Sequence, residues 1–592
     1  MKNLMSLCLL CFGALLFAQK TITGKIVDGE GQPVPSASIT VEETGKDAIL
    51  AYSISNSKGE FKVTFTTDAA NVDVKVKAFN QKQTTKQTRN DNQQMTIKME
   101  SQATEIQEVK LKARMITKRG DTISYDLNSF QNKADRTLAD VLKKVPGMEV
   151  SSSGQILYQG EPINKFYVNG KDLMEGGYGT IVNSLPTDAV QKMEVMENHQ
   201  PIKALKDKVP SEQAAINIKL KKQITMTGRG EVASGFGNPW LWNVKLTPMF
   251  FGQKSQWVAN YKTNNVGDAV ENDGNILAFG SSWEGVRRNI TQNTWLSVER
   301  ASVPSLPEKR YLFNNVHYLS VNFLTSPFKN KEWELKANTS YTNNTVERES
   351  YSRQTIFDID ATYFTNIANK LYTNKAKGEL IFTKNAKKGF FKNTTTFSQY
   401  WNADRGVIGL LDSRGDRNSA QALQSPTSSF QNSLSTIIPW KEKMINLQSF
   451  INYQDDTQTL TITPASYLNT GNNNGFDLLI NDKNTLTQNF RIKTFEARHF
   501  ANLSFTKKFW TITPEAGFYF MQNHLLSDFY GDTTKFGDFI NDLKYTTATS
   551  YGTLRVNYKT DALSLFMNFP VNFNAIKAND TDRSVSKSIN KV

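Results

Sequence analysis

The stretch WELKANTSY, from Trp333 to Tyr341, alternates two kinds of side chain along one segment. One set is apolar or aromatic: Trp333, Leu335, Ala337 and Tyr341. The other set is polar: Glu334, Lys336, Asn338 and Ser340. A period of two predicts a β-strand with one face toward apolar surroundings and the other toward polar surroundings.

The same alternation recurs through the last part of the chain, residues 223–592. It is clear in ANLSFT, residues 501–506, and in TLRVNYK, residues 553–559. These segments are rich in Phe, Tyr, Trp, Asn and Thr, and their length suggests strands of about ten residues. We therefore predict an antiparallel β-sheet over this whole region.

The connections favour one architecture for these strands. Some turns span only a few residues, such as 559–562, whereas the segments Asn264–Asn275 and Asp404–Ser428 are long and polar. Amphipathic strands with short turns at one end and long loops at the other are typical of a transmembrane β-barrel of the outer membrane. A soluble β-sandwich or propeller is the alternative that alternation alone leaves open.

The first 18 residues predict export. Lys2 is followed by an apolar core from Leu4 to Phe17 and by the small residue Ala18, which is the pattern of a cleavable signal peptide. Both cysteines of the chain, Cys8 and Cys11, lie inside it. The mature protein is therefore expected to have no disulfide framework.

Composition and motifs give no indication of an enzyme. The net charge of +14 comes from scattered Lys and Arg rather than from a cluster, so we expect no nucleic-acid partner. The four histidines, His199, His317, His499 and His524, show no metal-ligand spacing. We predict no catalytic residues, no metal and no cofactor.

Two regions lie between the signal and the strand-rich part. Residues 19–100 contain short alternating runs separated by turn residues, which predict a small antiparallel β-sandwich. Residues 101–119 are polar and read as a linker, with one weakly apolar run at Glu105, Ile106, Gln107, Glu108, Val109, Lys110 and Leu111.

Residues 120–222 mix helix and strand signals. Leu138, Val141 and Leu142 lie on one helical face, with Asp135 or Thr137 as the candidate N-cap. Pro146 and Gly147 are expected to stop that helix. A strand ending at Val168 is followed by Asn169 and Gly170, a strong signal for a tight turn.

Taken in order, these segments resemble the TonB-dependent outer-membrane receptors of the Bacteroidetes type. Residues 24–43 and 55–65, GKIVDGEGQPVPSASITVEE and SNSKGEFKVTF, are similar to the carboxypeptidase-regulatory-like domain that precedes such receptors. Further stretches match the plug domain in order: KRGDTISYDLNSF, ADVLKKVPGMEV, ILYQGEPINKFYVNGKDL, LPTDAVQKMEVME and AAINIKLKK.

The resemblance implies a function and its partners. Such a receptor takes up a scarce nutrient ligand through a barrel in outer-membrane lipid, and a TonB-type energy-coupling complex releases the plug. It places the TonB box at residues 105–111, with the sandwich and linker on the periplasmic side. A surface lipoprotein is an open further partner, and the ligand is not identified.

The sequence departs from the family in two places. The stretch NHQPIKALKDKVPSEQ, residues 198–213, replaces a Gly-rich segment of the plug. The family that the chain resembles builds about twenty-two strands, whereas roughly twelve to fourteen can be traced between residues 228 and 573. We therefore expect a partial barrel, and a non-transporting surface or structural barrel protein, or an inactive truncated receptor, is the alternative function.

Overall fold

The structure is a computed structural model, and it describes residues 19–591 apart from short gaps. The gaps are 46–47, 103–114, 207–208, 210, 223–224, 271–274, 278–281, 288–290, 330–331, 358–360, 413–414, 442, 469–474, 561–562 and 582–584. The predicted signal peptide and the predicted TonB box, residues 105–111, lie outside the described residues. The chain forms two compact units that divide between residues 113 and 114.

The first unit is a β-sandwich. Its strands are β1 (Lys20–Val27), β2 (Ser38–Glu43), β3 (Ile49–Ile54), β4 (Glu60–Phe65), β5 (Asn71–Lys77), β6 (Thr84–Arg89) and β7 (Gln93–Lys98). One sheet has the order β4-β1-β7 and the other β3-β2-β5-β6. The prediction of a purely antiparallel sandwich was wrong at one pair, because β1 and β7 run parallel.

The sandwich core follows from alternation within each strand. Ile22 and Ile26 of β1 and Val72, Val74 and Val76 of β5 are fully buried in one apolar cluster. The intervening side chains of β5 point away from it. A period of two is therefore enough to specify which face of each short strand is buried.

The second unit begins with a small α/β domain. Its strands are β8 (Ile116–Arg119), β9 (Thr122–Asp126), β10 (Met148–Val150), β11 (Ile156–Tyr158), β12 (Glu161–Pro162), β13 (Lys165–Val168), β14 (Val190–Met196) and β15 (Ala215–Leu220). Its helices are α1 (Leu138–Leu142) and α2 (Gly179–Ser184). The main sheet has the order β13-β15-β14-β9-β8, and β10, β11 and β12 form a separate sheet.

Helix α1 begins where the sequence predicts but ends sooner. Thr137 is its N-cap, and a capping box joins Thr137 to Asp140. The helix ends at Leu142, before Pro146, and Gly147 adopts the left-handed conformation, with φ of 81°, that lets the chain turn into β10.

The rest of the second unit is one large antiparallel sheet. Its strands are β16 (Met226–Gly235), β17 (Leu241–Phe251), β18 (Ser255–Asn264), β19 (Phe313–Thr325), β20 (Trp333–Ile356), β21 (Ala361–Ala386), β22 (Gly389–Asp412), β23 (Gly415–Trp440), β24 (Lys443–Thr463), β25 (Leu486–Lys507), β26 (Trp510–Gly531), β27 (Thr534–Lys535), β28 (Asn541–Lys559), β29 (Ser564–Asp580) and β30 (Val585–Lys591). A helix, α3 (Gly475–Ile480), lies between β24 and β25. Neighbours in sequence are neighbours in the sheet, except that β27 pairs only with β26.

The fold class is confirmed: the chain is mainly β, with an N-terminal sandwich, a small α/β domain and a large antiparallel sheet. Among the described residues, β16 and β30 each pair with one neighbour, so the sheet does not close on itself. None of the described helices has the length and apolar character that crossing a membrane requires.

Two expectations about the large sheet were wrong. Strands of about ten residues were expected, but β21 and β23 each span 26 residues. The segment Asp404–Ser428 was expected to be a loop, yet it forms the far half of the β22–β23 hairpin, up to the turn between the two strands. Its Asp, Arg, Gly, Ser and Gln residues are typical of loops, so the contrast between its two faces is weak in sequence.

The two faces of the large sheet differ in chemistry. On β23 the buried inner side chains include Ser429, Ser433 and Ser435, whereas Phe430 and Trp440 are exposed on the outer face. The outer faces of neighbouring strands are also apolar near one end of the sheet, the end at which β19–β20, β21–β22, β23–β24, β25–β26 and β28–β29 are connected. Exposed outer side chains there include Leu319, Val321, Phe323, Leu380, Phe397, Leu447, Phe505, Ile512, Leu554 and Phe569.

A long connection between β18 and β19 lies against the inner face. We call the described parts of residues 265–312 the inner segment. Gln448 of β24 donates a hydrogen bond to the Ser282 carbonyl at 2.9 Å, and Asn369 of β21 accepts one from the Ala301 amide at 2.6 Å. The inner segment therefore crosses the polar inner face of several strands.

Gly24 in the middle of β1 is expected to tolerate no side chain. A Cβ there would lie 2.0 Å from the Met95 carbonyl oxygen and 2.9 Å from the Phe61 ring. We predict that Gly24→Ala destabilises the sandwich by at least about 2 kcal/mol, because overpacking at a fixed backbone cannot relax. Thermal unfolding of the chain measures this.

Gly29→Ala is the matched control, since a Cβ at Gly29 meets nothing within 4 Å. It should change stability by less than about 0.5 kcal/mol. Equal effects of the two substitutions would contradict the packing of β1 against β7.

Candidate functional site

The α/β domain packs against the inner face of the large sheet through two different kinds of contact. On the β17–β19 side the contact is apolar, since Met249, Val258 and Leu324 belong to the same buried cluster as the core of the domain. The Val168 carbonyl at the end of β13 also accepts a hydrogen bond from Gln256 of β18 at 3.1 Å. Burial of these apolar side chains away from water stabilises the contact between the α/β domain and this side of the sheet.

The residues predicted as plug motifs lie inside the α/β domain. Leu138, Val141 and Leu142 are buried in its core. Asn169 and Gly170 form the predicted turn with φ of 51° and 81°, and the Gly170 amide donates to Asn217 at 2.9 Å. These residues shape the domain, whereas the charged contacts with the sheet come from residues that sequence reasoning did not select.

On the β20–β22 side the contact is charged. Eight buried ionisable residues meet there, and we call them the bridging cluster. The α/β domain contributes Lys165, Asp172 and Glu175; the inner segment contributes Glu284 and Arg287; the large sheet contributes Lys336, Glu379 and Lys392.

Glu175 is the hub of the bridging cluster. One of its carboxylate oxygens lies 2.5 Å from Lys336 Nζ, and the other lies 2.9 Å from Lys392 Nζ. The side chains of Glu175 and Lys336 are only 4% and 3% exposed. A single carboxylate of the α/β domain therefore pairs with lysines from two strands of the large sheet, at a position that is largely closed to water.

The inner segment completes the charge balance. Glu284 binds Lys165 at 2.8 Å and Lys392 at 3.0 Å, so it joins the α/β domain to β22. Arg287 binds Glu379 of β21 at 2.6 Å and donates a hydrogen bond to the Glu175 carbonyl. The cluster thus contains four acids and four bases, and buried charges are tolerated when paired in this way.

The backbone at Glu175 supports a positioning role for this residue. Glu175 has φ of 45°, a left-handed conformation that a non-glycine residue seldom adopts. Asp172 accepts a hydrogen bond from the Glu175 amide at 2.9 Å and so helps to hold it. Strain of this kind persists only where surrounding contacts enforce it, and it concentrates at functional sites.

Electrostatics keep the acids of the cluster ionised. Burial would raise the pKa of Glu175, but the nearby Lys165, Lys336 and Lys392 hold that pKa well below its usual range. Burial opposes ionisation of Glu284 too, yet Lys165 and Lys392 lower its pKa to about 2. Conversely, the pKa of Lys165 is raised well above normal, because the attraction of Glu175 and Glu284 outweighs its own burial.

His199 lies next to the cluster in a different state. Burial, together with the positive charge of Lys165, lowers the pKa of His199 to about 4. Its Nε2 lies 3.0 Å from the Tyr167 hydroxyl. The imidazole is therefore neutral at pH 7 and contributes no charge to the cluster.

A cavity of about 740 Å³ lies beside the cluster, between the α/β domain and the sheet. Its lining includes Lys165, Glu175, His199, Lys336 and Lys392. Glu332 and Asn385 also line it, and they lie at the short connections β19–β20 and β21–β22. The bridging cluster thus forms the inner end of a polar space that reaches the short-turn end of the sheet.

Sequence patterns gave only a partial signal for these residues. Lys336 was assigned correctly to the polar face of its strand. The remaining members come from segments far apart in sequence, and their meeting depends on the seating of the α/β domain. No group of three or more His, Cys, Asp or Glu positioned to hold a metal occurs in the part of the chain that the structure describes.

No protein-family model and no curated protein matches the chain. Among solved structures it is similar to the open form of the ferric-catecholate import receptor Fiu of E. coli K12, with 8% identity, a TM-score of 0.27, and coverage of 81% of this chain and 76% of that one. It is also similar to the siderophore receptor PiuA of Acinetobacter baumannii, with 8% identity, a TM-score of 0.27, and coverage of 77% of this chain and 69% of that one. A third similar structure is the ferric citrate transporter FecA in its unliganded form, with 9% identity, a TM-score of 0.24, and coverage of 77% of this chain and 84% of that one. At these values the assignment of function has to rest on the chain's own residues.

Glu175→Gln is predicted to loosen the α/β domain. The substitution keeps the size of the side chain but removes the nearer carboxylate from buried Lys336 and leaves it Glu334 at 3.6 Å, which should cost about 3 kcal/mol. The measurement is the urea concentration at which the α/β domain of the full chain loses protection from protease. Glu212→Gln is the control, because the Glu212 side chain is 92% exposed. If both variants shift the midpoint equally, Glu175 is not a buried hub.

Acid is predicted to weaken the domain in two steps. Unfolded His199 would titrate near about 6.5, but folded His199 titrates near 4. The unfolded chain therefore binds more protons between these values, and stability falls as the pH drops through that window. Glu175 and Glu284 have depressed pKa values, so their contribution persists down to about pH 4.3 and is lost below it, toward about pH 2 for Glu284.

The variant His199→Gln separates the two steps. It should remove the loss of stability between about pH 6.5 and pH 4 and leave the loss at lower pH unchanged. Protease protection measured from pH 7 to pH 3 provides the profile. A wild-type profile that is flat above pH 4 would contradict a buried neutral His199.

Proposed function

We propose that the chain is an outer-membrane receptor that imports a nutrient ligand, with the α/β domain as a releasable plug inside a barrel-forming sheet. A periplasmic energy-coupling complex of the TonB type would engage residues 105–111 and pull the plug. The observation that carries the proposal is the bridging cluster, which fixes a separate domain against a polar inner face through charge pairs.

The outer face of the sheet supports a place in a membrane. The exposed apolar side chains of β23 run from Phe430 to Trp440, adjacent to the short turn into β24. About ten residues of tilted strand cover the roughly 25 Å apolar band of an outer membrane. Aromatic side chains at the short-turn ends, including Trp333 and Trp510, suit the girdle at one interface.

The strands extend well beyond that band. A strand of 26 residues such as β23 spans roughly 65 Å along a barrel axis at ordinary rise and tilt. The outer face beyond Phe430 carries polar side chains such as Ser428 and Gln424. The proposal therefore places the far half of the sheet outside the bilayer, as a wall around an entrance.

The two contacts of the α/β domain suit a plug that opens on one side. The apolar side, at Met249 and Leu324, resists wetting. The bridging cluster is specific in geometry, but hydration of the separated charges offsets much of the loss of their pairing once water enters. A pull on the N-terminal end of the domain would thus open the β20–β22 side first, where the cavity already lies.

The alternative is a non-transporting structural protein of the outer membrane. It is favoured by one observation, that β16 and β30 each lack a second neighbour among the described residues. Unpaired edges are costly in lipid. The two functions differ in a simple way, since only the receptor requires the TonB box.

Val109→Pro is predicted to abolish uptake without affecting membrane insertion. β-strand addition to a partner needs the backbone amide that Pro lacks. The measurement is growth of a host lacking its own copy, on a medium where that deletion limits growth, after complementation with each variant. The heat-modifiable mobility of the chain on a gel reports insertion.

Val109→Thr is the matched control, because Thr keeps the amide and the strand propensity. It should support growth as well as the wild type. Full growth with Val109→Pro and with a deletion of residues 105–111 would remove energy coupling from the proposal and leave the structural alternative.

A further inference from the structure

We infer that a second cavity, between the inner segment and strands β24–β28, is a binding site for a small organic cation. It measures about 390 Å³, which suits a small ligand. The polar and aromatic members of its lining are Asn293, Trp295, Asp456, Thr494, Asn523 and Tyr545. The inference rests on the proposed function in one respect, that the inner face of the sheet is reached by ligands.

Asp456 is the acidic group of this site. It is 2% exposed, and its Oδ2 accepts a hydrogen bond from Gln454 at 2.8 Å. Its Oδ1 is buried and has no hydrogen-bond partner of normal geometry among the described residues, although the side chains of Thr427 and Asn293 lie close enough to the carboxylate to interact with it. No Lys or Arg nitrogen of the described residues lies within 4.0 Å of it, unlike the acids of the bridging cluster.

Other acids on the inner face have basic partners. Asp404 binds Arg300 at 2.9 Å, and Glu515 binds Arg555 at 3.0 Å. A buried carboxylate without a counter-charge is unfavourable as an anion, so it takes up a proton unless a positive group is brought to it. Asp456 is therefore the group of the large sheet that a positively charged ligand would pair with.

Trp295 supplies a rigid aromatic surface next to this carboxylate. Its backbone amide donates to Gln458 Oε1 at 3.1 Å, and Gln458 Nε2 donates back to the Asn293 carbonyl at 2.6 Å. The indole stacks on Phe490 with ring centroids 5.2 Å apart. Trp295 as a whole residue nevertheless remains 50% exposed, and it lines the cavity.

This combination selects a cation over a neutral polyol. A cation gains both from the carboxylate and from the face of an indole ring. A polyol needs several unsatisfied hydrogen-bonding groups, but Thr494 already donates to Asn523 at 2.8 Å. The class of ligand is thus an ammonium-bearing molecule with an apolar surface that can lie on Trp295.

The test compares choline with its neutral isostere 3,3-dimethylbutan-1-ol, by isothermal titration calorimetry of the full detergent-solubilised chain. Choline should bind at least about tenfold more tightly than the alcohol, because only choline pairs with Asp456. Asp456→Asn should weaken choline binding about tenfold, and Trp295→Leu should weaken it as well.

Asp455→Asn is the matched control, since Asp455 lies on the opposite face of β24 and binds Arg491 at 2.6 Å. It should leave choline binding unchanged. Heat-modifiable mobility of each variant confirms that it is folded. Equal binding of choline and the alcohol, equal effects of the two Asp substitutions, or no choline binding by the wild type would each overturn the inference.

These outcomes are independent of transport. The binding assay uses no energy-coupling partner, whereas growth with the Val109 variants depends on coupling and names no ligand. Failure of choline binding together with growth loss by Val109→Pro would reject the cation site and leave the receptor function intact. The reverse pattern would reject energy coupling and keep the site.

Discussion

The carboxylate of Glu175 is the contact on which the arrangement of the second unit depends. It lies between Lys336 of β20 and Lys392 of β22, and both lysines are almost completely buried. Neither lysine can stay charged there without an acid. Among the described residues, the large sheet offers Lys336 only Glu334, at 3.6 Å, and offers Lys392 no acid within 4.0 Å. The α/β domain and the inner segment supply the remaining acids. Lys336 and Lys392 can therefore be buried as charged groups only when the α/β domain is in place.

This constraint also explains why the domain has two unlike sides. An entirely apolar contact, like that around Leu324, would hold the domain but would resist separation over its whole area. An entirely charged contact would be specific in geometry but weak in net stability. With one side of each kind, the domain has a fixed edge at β17–β19 and a separable edge at β20–β22, where the polar cavity lies.

The sequence predicted what depends on local pattern. Alternation in WELKANTSY placed Lys336 on the polar face, Thr137 was a correct N-cap candidate, and Asn169-Gly170 formed the expected turn. It did not predict the length of β23, because the inner face of this strand uses Ser, Thr and Gln, which resemble loop composition. Nor could it bring Glu175, Glu284 and Lys392 together, since no local rule relates residues so far apart.

The inner segment connects the two sites that the structure suggests. Gln448 and Asp456 both face inward on β24, about 26 Å apart along the strand at ordinary rise. Gln448 binds the inner segment at Ser282, near Glu284 of the bridging cluster, and Gln458 binds it beside Trp295. A ligand that shifts Trp295 therefore acts on the same segment that carries Glu284. Such coupling requires that the segment have two positions of unequal ligand affinity, and the hydrogen bonds of Gln458 and Gln448 are the contacts that would differ between them.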